Sequence, residues 1–395
     1  MRKIHHLLLF AAIILHFPVV VVAVSTDSLA VSRVGANAGT LVGFKFTTLN
    51  IEWLACPENG PTNEELQMNN AAKVILATNA DVVALQEIGT SNTFVTINEL
   101  AKKLGTDWMG SMVPNNLDLC GQNQGIVFKK SKVQLLSSQL VNNAGTSYNW
   151  ASRFPALYNI ALLVGGKQVP IWLFNIHAKA MSDIESYNRR LAASTSLKSL
   201  LDGSTFNNRN VIVIGDFNDY LIQSQTGSNF DSPYKNFVTD ALNYNGPTMH
   251  LTDPYYSNKS VIDHIVISNE LFSAYVNASA VREVAATNAV VDYRFTTSDH
   301  TPISIQLRFD PAQITSTQLP RFEPAINITY HRASKQLQFD SPTQFDQVSL
   351  INLQGLVLQT AKDVSNYSFD TNNSGVFLLR VVTGNHAIVR KVVIQ

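Results

Sequence analysis

Residues able to do chemistry recur in this chain of 395 residues at the ends of short apolar runs. Asn50 closes FKFTTLN, Glu87 closes DVVALQE and His177 closes IWLFNIH. Asp216 and Asn218 follow VIVIG, Asp263 stands inside SVIDHIVIS, and Asp299 and His300 precede PISIQLRF. Strand ends are where α/β enzymes place their sites. A lone carboxylate such as Glu87, at the end of an apolar strand, is costly to bury unless a cation meets it. A hard divalent cation fits, because Mg²⁺ takes one or two carboxylates, keeps waters and binds phosphate oxygens. In GDFND, a carboxylate and an amide two residues apart can be aimed at one point, as holding a water and a phosphate oxygen requires, and Gly215 allows a sharp exit from a buried strand. Each signal alone also has a plain reading, as an Asx-rich turn, an exposed strand-end Glu or a satisfied histidine.

The elements that must position these residues alternate between β-rich runs and helical stretches, the period of an α/β protein. Strands are expected at 44–50, 81–87, 125–130, 157–164, 169–177, 210–216, 261–268 and 302–309. Capping-box patterns at Thr62/Glu65 and Ser182/Glu185 start helices reaching about Thr78 and Leu201, and another helix is expected near 93–104. Continuous apolar runs such as 211–214 suit strands covered on both faces. NIALLV, GGK and VPIWLF read as an antiparallel hairpin, so the sheets should be mixed.

Charge and the termini narrow the possibilities. Lys plus Arg and Asp plus Glu are equal at 29 each, which excludes a polybasic strategy, and a 45% hydrophobic composition excludes disorder. Arg2 and Lys3 before an apolar run to Val24 read as an export signal over residues 1–25, which leaves the mature chain faintly acidic and without a transmembrane segment. Export also permits Cys56 and Cys120, both in turn-like segments, to form a disulfide; two unpaired thiols are the alternative. A proline-punctuated linker over 311–324 separates a first domain, 26–310, from a C-terminal β-sandwich, 325–395.

The ordered set N(50), QE(86–87), R-x-P(153–155), NIH(175–177), GDFN(215–218), IDH(262–264) and SDH(298–300) resembles the endonuclease/exonuclease/phosphatase family over about residues 42–309. The resemblance implies a four-layered α/β sandwich of two mixed β-sheets with outer helices. It implies Glu87 as the main Mg²⁺ ligand, Mn²⁺ or Ca²⁺ being alternatives, with Asn50 and Asp299 close to the metal. It implies His300 paired with Asp263 as the catalytic histidine, His177 as a second one, and Asp216 with Asn218 orienting water and stabilising the transferring group. Arg153 would bind the substrate phosphate, assisted by Asn50 and Asn218. One position departs: where pancreatic-type members pair the second histidine with a glutamate, the nearest match here is Gln122, a neutral partner that would not raise the pKa of His177.

On this basis the chain is expected to be a secreted, monomeric, metal-dependent phosphodiesterase, and foremost a nuclease acting on DNA and also RNA. The alternatives are a lipid-headgroup phosphodiesterase resembling neutral sphingomyelinase, with DPYYSNK (253–259) as its exposed aromatic loop, and a non-catalytic surface adhesin. FKKSK (128–132) and Arg189-Arg190 offer cations to a nucleic-acid strand, or are solvated faces. The C-terminal segment resembles a type IX secretion sorting domain, which would engage outer-membrane secretion machinery after passage through the periplasm; a β-sandwich binding carbohydrate or other partners is the alternative.

Overall fold

The computed structural model describes residues 40–89, 95–115, 120–254, 259–314, 327–331, 334–352, 356–371, 374–383 and 386–394. The expected export signal, most of the linker and the Tyr255-Tyr256 pair lie outside them. Two six-stranded sheets dominate. The first contains β1 (Val42–Leu54), β2 (Val82–Ile88), β3 (Trp108–Val113), β4 (Asn123–Lys129), β13 (Val281–Arg282) and β14 (Ile303–Phe309), in the order β13-β14-β1-β2-β4-β3. The second contains β5 (Val133–Leu140), β6 (Ala156–Val164), β7 (Lys167–His177), β8 (Val211–Asp216), β9 (Tyr244–Asn245) and β12 (Asp263–Ser268), in the order β5-β6-β7-β8-β12-β9. β10 (Thr252–Asp253) and β11 (Lys259–Ser260) form a small ladder of their own. β1 runs parallel to β2 and β7 to β8, while the other pairings are antiparallel, so both sheets are mixed.

Side chains alternate across each strand, and both faces are apolar for different reasons. Between the sheets, Phe44, Phe46, Val82 and Ala84 meet Ile171, Leu173, Ile212, Ile214 and Ile265. The intervening residues face outward. Leu49, Val83 and Leu85 pack under α1 (Glu64–Thr78) and α2 (Val95–Leu104). Phe174, Val213 and Trp150 pack under α3 (Ile184–Leu201). The result is the expected four layers, with each fully buried Ile or Phe contributing roughly 1.5–3 kcal/mol. Three one-turn helices, α4 (Lys235–Val238), α5 (Val284–Thr287) and α6 (Tyr293–Thr296), and a 3₁₀ turn at Asn269–Leu271 are the other helical elements named among the described residues. None of these helices is long and apolar enough to cross a membrane.

Both helix starts fall one residue later than the capping-box reading: Asn63 accepts from Leu66 N at 2.9 Å and Asp183 from Ser186 N at 3.0 Å. Asn and Asp rank at least as high as Thr and Ser as N-caps, so the adjacent Asx residue wins. β3 and β5 escape the sequence pattern because they are edge strands, and seven of the eight residues of β5 are only partly buried. Gly215 lies within β8, not at a turn. It has φ +143°, and a Cβ there would sit 2.0 Å from the Ile176 carbonyl, so glycine is required by the close approach of β7.

The C-terminal strands β15 (Asn327–His331), β16 (Gln336–Asn352), β17 (Val357–Asp370), β18 (Gly375–Thr383) and β19 (His386–Ile394) pair antiparallel throughout. Long β16 pairs with β15, β17 and β18, around a core that includes Phe339, Phe345, Leu350 and Leu379.

Candidate active site

Strand register brings the chemistry together. His177 on β7 and Asp263 on β12 both lie opposite Asp216 on β8, so the three stand abreast across the second sheet. Alternation from the inter-sheet residues Leu173, Ile214 and Ile265 puts all three on the face that looks toward the first sheet. On β1, Asn50 follows Phe44 and Phe46 on the same alternation and so faces them. The apolar core thus gives way, at one edge, to a polar layer. Its base is a cross-sheet contact: Gln86 Nε2 donates to Asn175 Oδ1 at 2.7 Å, and Asn175 Nδ2 donates to the Leu85 and Gly125 carbonyls at 2.9 Å. Such buried amides stay affordable only because they are bonded.

Glu87 would face outward by alternation, since Val83 and Leu85 do; a left-handed φ of +61° re-aims it. Asn50 Nδ2 donates at 3.0 Å to both Glu87 Oε1 and Asp216 Oδ2. Asp216 also accepts from the Asn218 backbone N–H at 2.8 Å and from Asn218 Nδ2 at 3.0 Å, with Asn218 itself left-handed at φ +51°. Burial pushes Asp216 up to about 6, and burial likewise raises Glu87.

The two histidines differ. His300 Nδ1 lies 2.7 Å from Asp263 Oδ2, and its Nε2 lies 4.0 Å from Asp216 Oδ2. Burial disfavours its cation, but Asp263, Asp216 and Asp299 outweigh that and hold its pKa well above the ordinary value of 6.5. His177 Nε2 stands 3.5 Å from Glu87 and 3.6 Å from Asp216, too far for firm hydrogen bonds, and its buried Nδ1 has no partner among the described residues. Those carboxylates would favour a cation, yet burial, Arg153 and His300 hold its pKa well below 6.5. Asp216 and Glu87 themselves have raised proton affinities and share the Asn50 amide, so neither presents a full negative charge to His177.

Gln122 is not the partner of His177. Its Oε1 accepts from Arg153 Nη1, and Arg153 Nη2 donates to the Ala178 carbonyl at 2.9 Å, which leaves the buried Arg153 Nε without a partner among the described residues. The tether of this loop is the Cys56–Cys120 disulfide, which joins it to the end of β1. Three of the cations offered for strand contact are engaged elsewhere: Lys129 and Lys132 bridge Asp81, and Arg190 is fully buried against Asp219.

One residue escaped sequence reasoning. Glu52 accepts from the Asp299 backbone N–H at 2.9 Å, and its pKa is pushed up to about 7, first by burial and then by Asp299 and Glu87. Its spacing of two from Asn50 was the available signal. Glu52, Glu87 and the half-exposed Asp299 are carboxylates held near one another, with no Lys or Arg ion pair to any of them among the described residues and His300 Nε2 3.8 Å from Asp299. Hard oxygen donors in mutual repulsion fit a hard divalent cation. Asp216, Asp263 and His300 also offer atoms within 4.8 Å of one another, but Asp263 and His300 are bonded to each other and Asp216 accepts three amide hydrogens.

A model of the endonuclease/exonuclease/phosphatase family matches residues 47–300. No curated protein sequence matches the chain. Solved structures similar to it include an endonuclease/exonuclease/phosphatase from Beutenbergia cavernae, at 16% identity and TM-score 0.47, covering 89% of this chain and 100% of that one. The human Nocturnin catalytic domain with bound sulfate is 19% identical at TM-score 0.46, covering 68% and 96%. A mannosyl-6-phosphatase from Bacteroides thetaiotaomicron is 14% identical at TM-score 0.44, covering 67% and 100%.

Proposed function

Because the chain belongs to the endonuclease/exonuclease/phosphatase family, whose members are metal-dependent hydrolases of phosphoester bonds, we propose that it hydrolyses a phosphodiester, and foremost that of DNA, by in-line attack of water. The observation that carries this is the row His177, Asp216, Asp263, cradled by Asn50 and Asn218 and flanked by the His300–Asp263 pair. Glu87, Asn50 and Asp299, with Glu52 beside them, would hold a divalent cation, Mg²⁺ in the first instance, which when bound supplies concentrated positive charge for the phosphate oxygens.

The chain's own groups do the rest. Arg153 binds the phosphate through its free Nε. Asn218 and Asp216 orient the water, and Asp216, with a pKa near 6, takes its proton as the oxygen bonds to phosphorus. His300, protonated and held by Asp263, gives its Nε2 proton to the leaving oxygen as the P–O bond breaks. Neutral His177 offers a hydrogen bond to a phosphate oxygen without adding charge.

Supercoiled plasmid, RNA and sphingomyelin, each incubated with the protein with and without EDTA, test the reading. Plasmid nicking abolished by EDTA is expected. Sphingomyelin hydrolysis with intact plasmid would move the assignment to lipid headgroups, and a His300→Ala or Glu87→Ala variant within about tenfold of the parent would remove these residues from the chemistry. For residues 325–395 the reading is an export role, on their resemblance to a sorting domain; normal release of a chain lacking them would sink that role.

A further inference from the structure

On the Arg153 side of the site stands an exposed aromatic ring that is held rigid. Tyr148 is 58% exposed. The Arg189 guanidinium lies over its ring at 4.3 Å, Arg189 Nε donates to its carbonyl at 2.9 Å, and its hydroxyl donates to Glu185 Oε1 at 2.9 Å. The turn that carries it is closed by Ser152 N to Ser147 O at 2.8 Å and by Arg153 N to Trp150 O at 2.8 Å, and is anchored by the fully buried Trp150. An exposed tyrosine is ordinarily free to swing; three attachments and a turn that ends in Arg153 fix this one beside the site.

Lys179 approaches the same place from β7. The carbonyl of the preceding Ala178 accepts from both Arg153 and Asn218, and Arg190, locked to Asp219, fixes the carbonyls of Lys179 and Met181 at 2.8 and 2.6 Å. Among the described residues, Lys179 Nζ reaches only the Ala180 carbonyl, at 3.0 Å, with no carboxylate within 4.0 Å. Burial and Arg189, with Arg153 and Arg190, disfavour its charge against the opposing pull of Asp183, so an incoming anion would relieve it. Of the acids of this corner, Asp183 accepts from Ser186 N and Oγ, and Glu185 is engaged by the Tyr148 hydroxyl and lies 3.9 Å from Arg189.

We propose that Tyr148, backed by Arg189, and Lys179 form a subsite for the nucleotide next to the scissile phosphate, the ring stacking on its base and the lysine meeting its phosphate. The proposal rests on the phosphodiesterase reading and names a nucleic-acid strand as its substrate. Every base has a π-face, so such a platform binds without sequence preference. A phosphocholine headgroup would bring no base and would set a cation against Lys179 and Arg189.

Two measurements test it: binding of a fluorescent oligothymidylate in EDTA, and turnover of bis(4-nitrophenyl) phosphate with Mg²⁺. Tyr148→Ala should weaken oligonucleotide binding about tenfold, whereas Tyr148→Phe, which keeps the ring, should stay within about twofold. Lys179→Ala should weaken it about fivefold and flatten its salt dependence by about one phosphate contact. Turnover of the small diester should stay within about twofold in all three. Unchanged binding in Tyr148→Ala, an equal loss in Tyr148→Phe, or a matching loss on the small diester would each overturn the subsite. Tyr148-dependent binding without any diester turnover would sink the phosphodiesterase reading and leave the subsite standing; turnover without oligonucleotide binding would do the reverse.

Discussion

The site has two arms, each ending in a histidine near carboxylates, and the two histidines differ in charge. On one, His300 has a single dedicated anion, Asp263, at 2.7 Å, and is held protonated. On the other, His177 has two carboxylates at 3.5 and 3.6 Å and is held neutral. Nearby acids number three for His300, with Asp216 at 4.0 Å and Asp299 at 3.8 Å beside Asp263, against two for His177, a margin too small to explain opposite shifts. What decides is whether the acid is itself a settled anion. Glu87 and Asp216 are both pushed toward protonation by burial and divide the Asn50 amide between them, so neither offers a full charge to His177. Arg153 adds a cation on the same side.

If the arms are acid and neutral donor respectively, removing each histidine should cost different amounts. His300→Asn is expected to lower kcat by about 10³-fold, the scale of general acid catalysis, while His177→Asn, which preserves a neutral donor, should lose only about tenfold. Equal losses, read by steady-state kinetics on plasmid or bis(4-nitrophenyl) phosphate, would erase the distinction. Asp263→Asn strikes the acid arm indirectly. A loss of about 10²-fold is expected, and because the variant imidazole deprotonates at lower pH, the alkaline limb of kcat should move to lower pH.

Much of this arrangement is visible in the sequence because strands repeat every two residues. Ile212, Ile214 and Asp216, or Ile265 and Asp263, can be read as one face whose last member is polar, and the chain order of the motifs supplies the rest. What alternation cannot show is a departure from itself. Glu87 reaches the site through a left-handed φ, and Glu52 and Trp53 bend the end of β1 at φ +52° and +55°. Partner choice is equally hidden. Gln122 falls to Arg153, and Arg190 falls to buried Asp219, through contacts between segments whose approach no local pattern records.

Protonation linked to folding sharpens the comparison without any substrate. The pKa of His300 is raised on folding, so its contribution is fully present below about pH 6.5 and is lost as pH rises through the folded value. That of His177 is depressed, so the unfolded chain binds the extra proton and the fold loses stability as pH falls below 6.5. Denaturation in EDTA should therefore show the difference between parent and His300→Asn growing as pH falls toward 6.5. The difference between parent and His177→Asn should change in the opposite sense below 6.5, each by up to about 1.4 kcal/mol per pH unit. Slopes of the same sign would mean that the two imidazoles share one charge state.

The smallest expected effect probes where the arms meet. Gln122 occupies the position at which a glutamate would be expected to charge the second histidine, yet it accepts from Arg153. Gln122→Glu should therefore form an ion pair with Arg153 and compete with the substrate phosphate, raising KM about fivefold with kcat within about twofold. The pH profile of kcat should not move, because the new charge is neutralised by the guanidinium before it can act on His177. A profile shifted toward alkaline pH would instead show that this position governs the protonation of His177, and that neutrality on that arm comes from the missing glutamate more than from burial and Arg153.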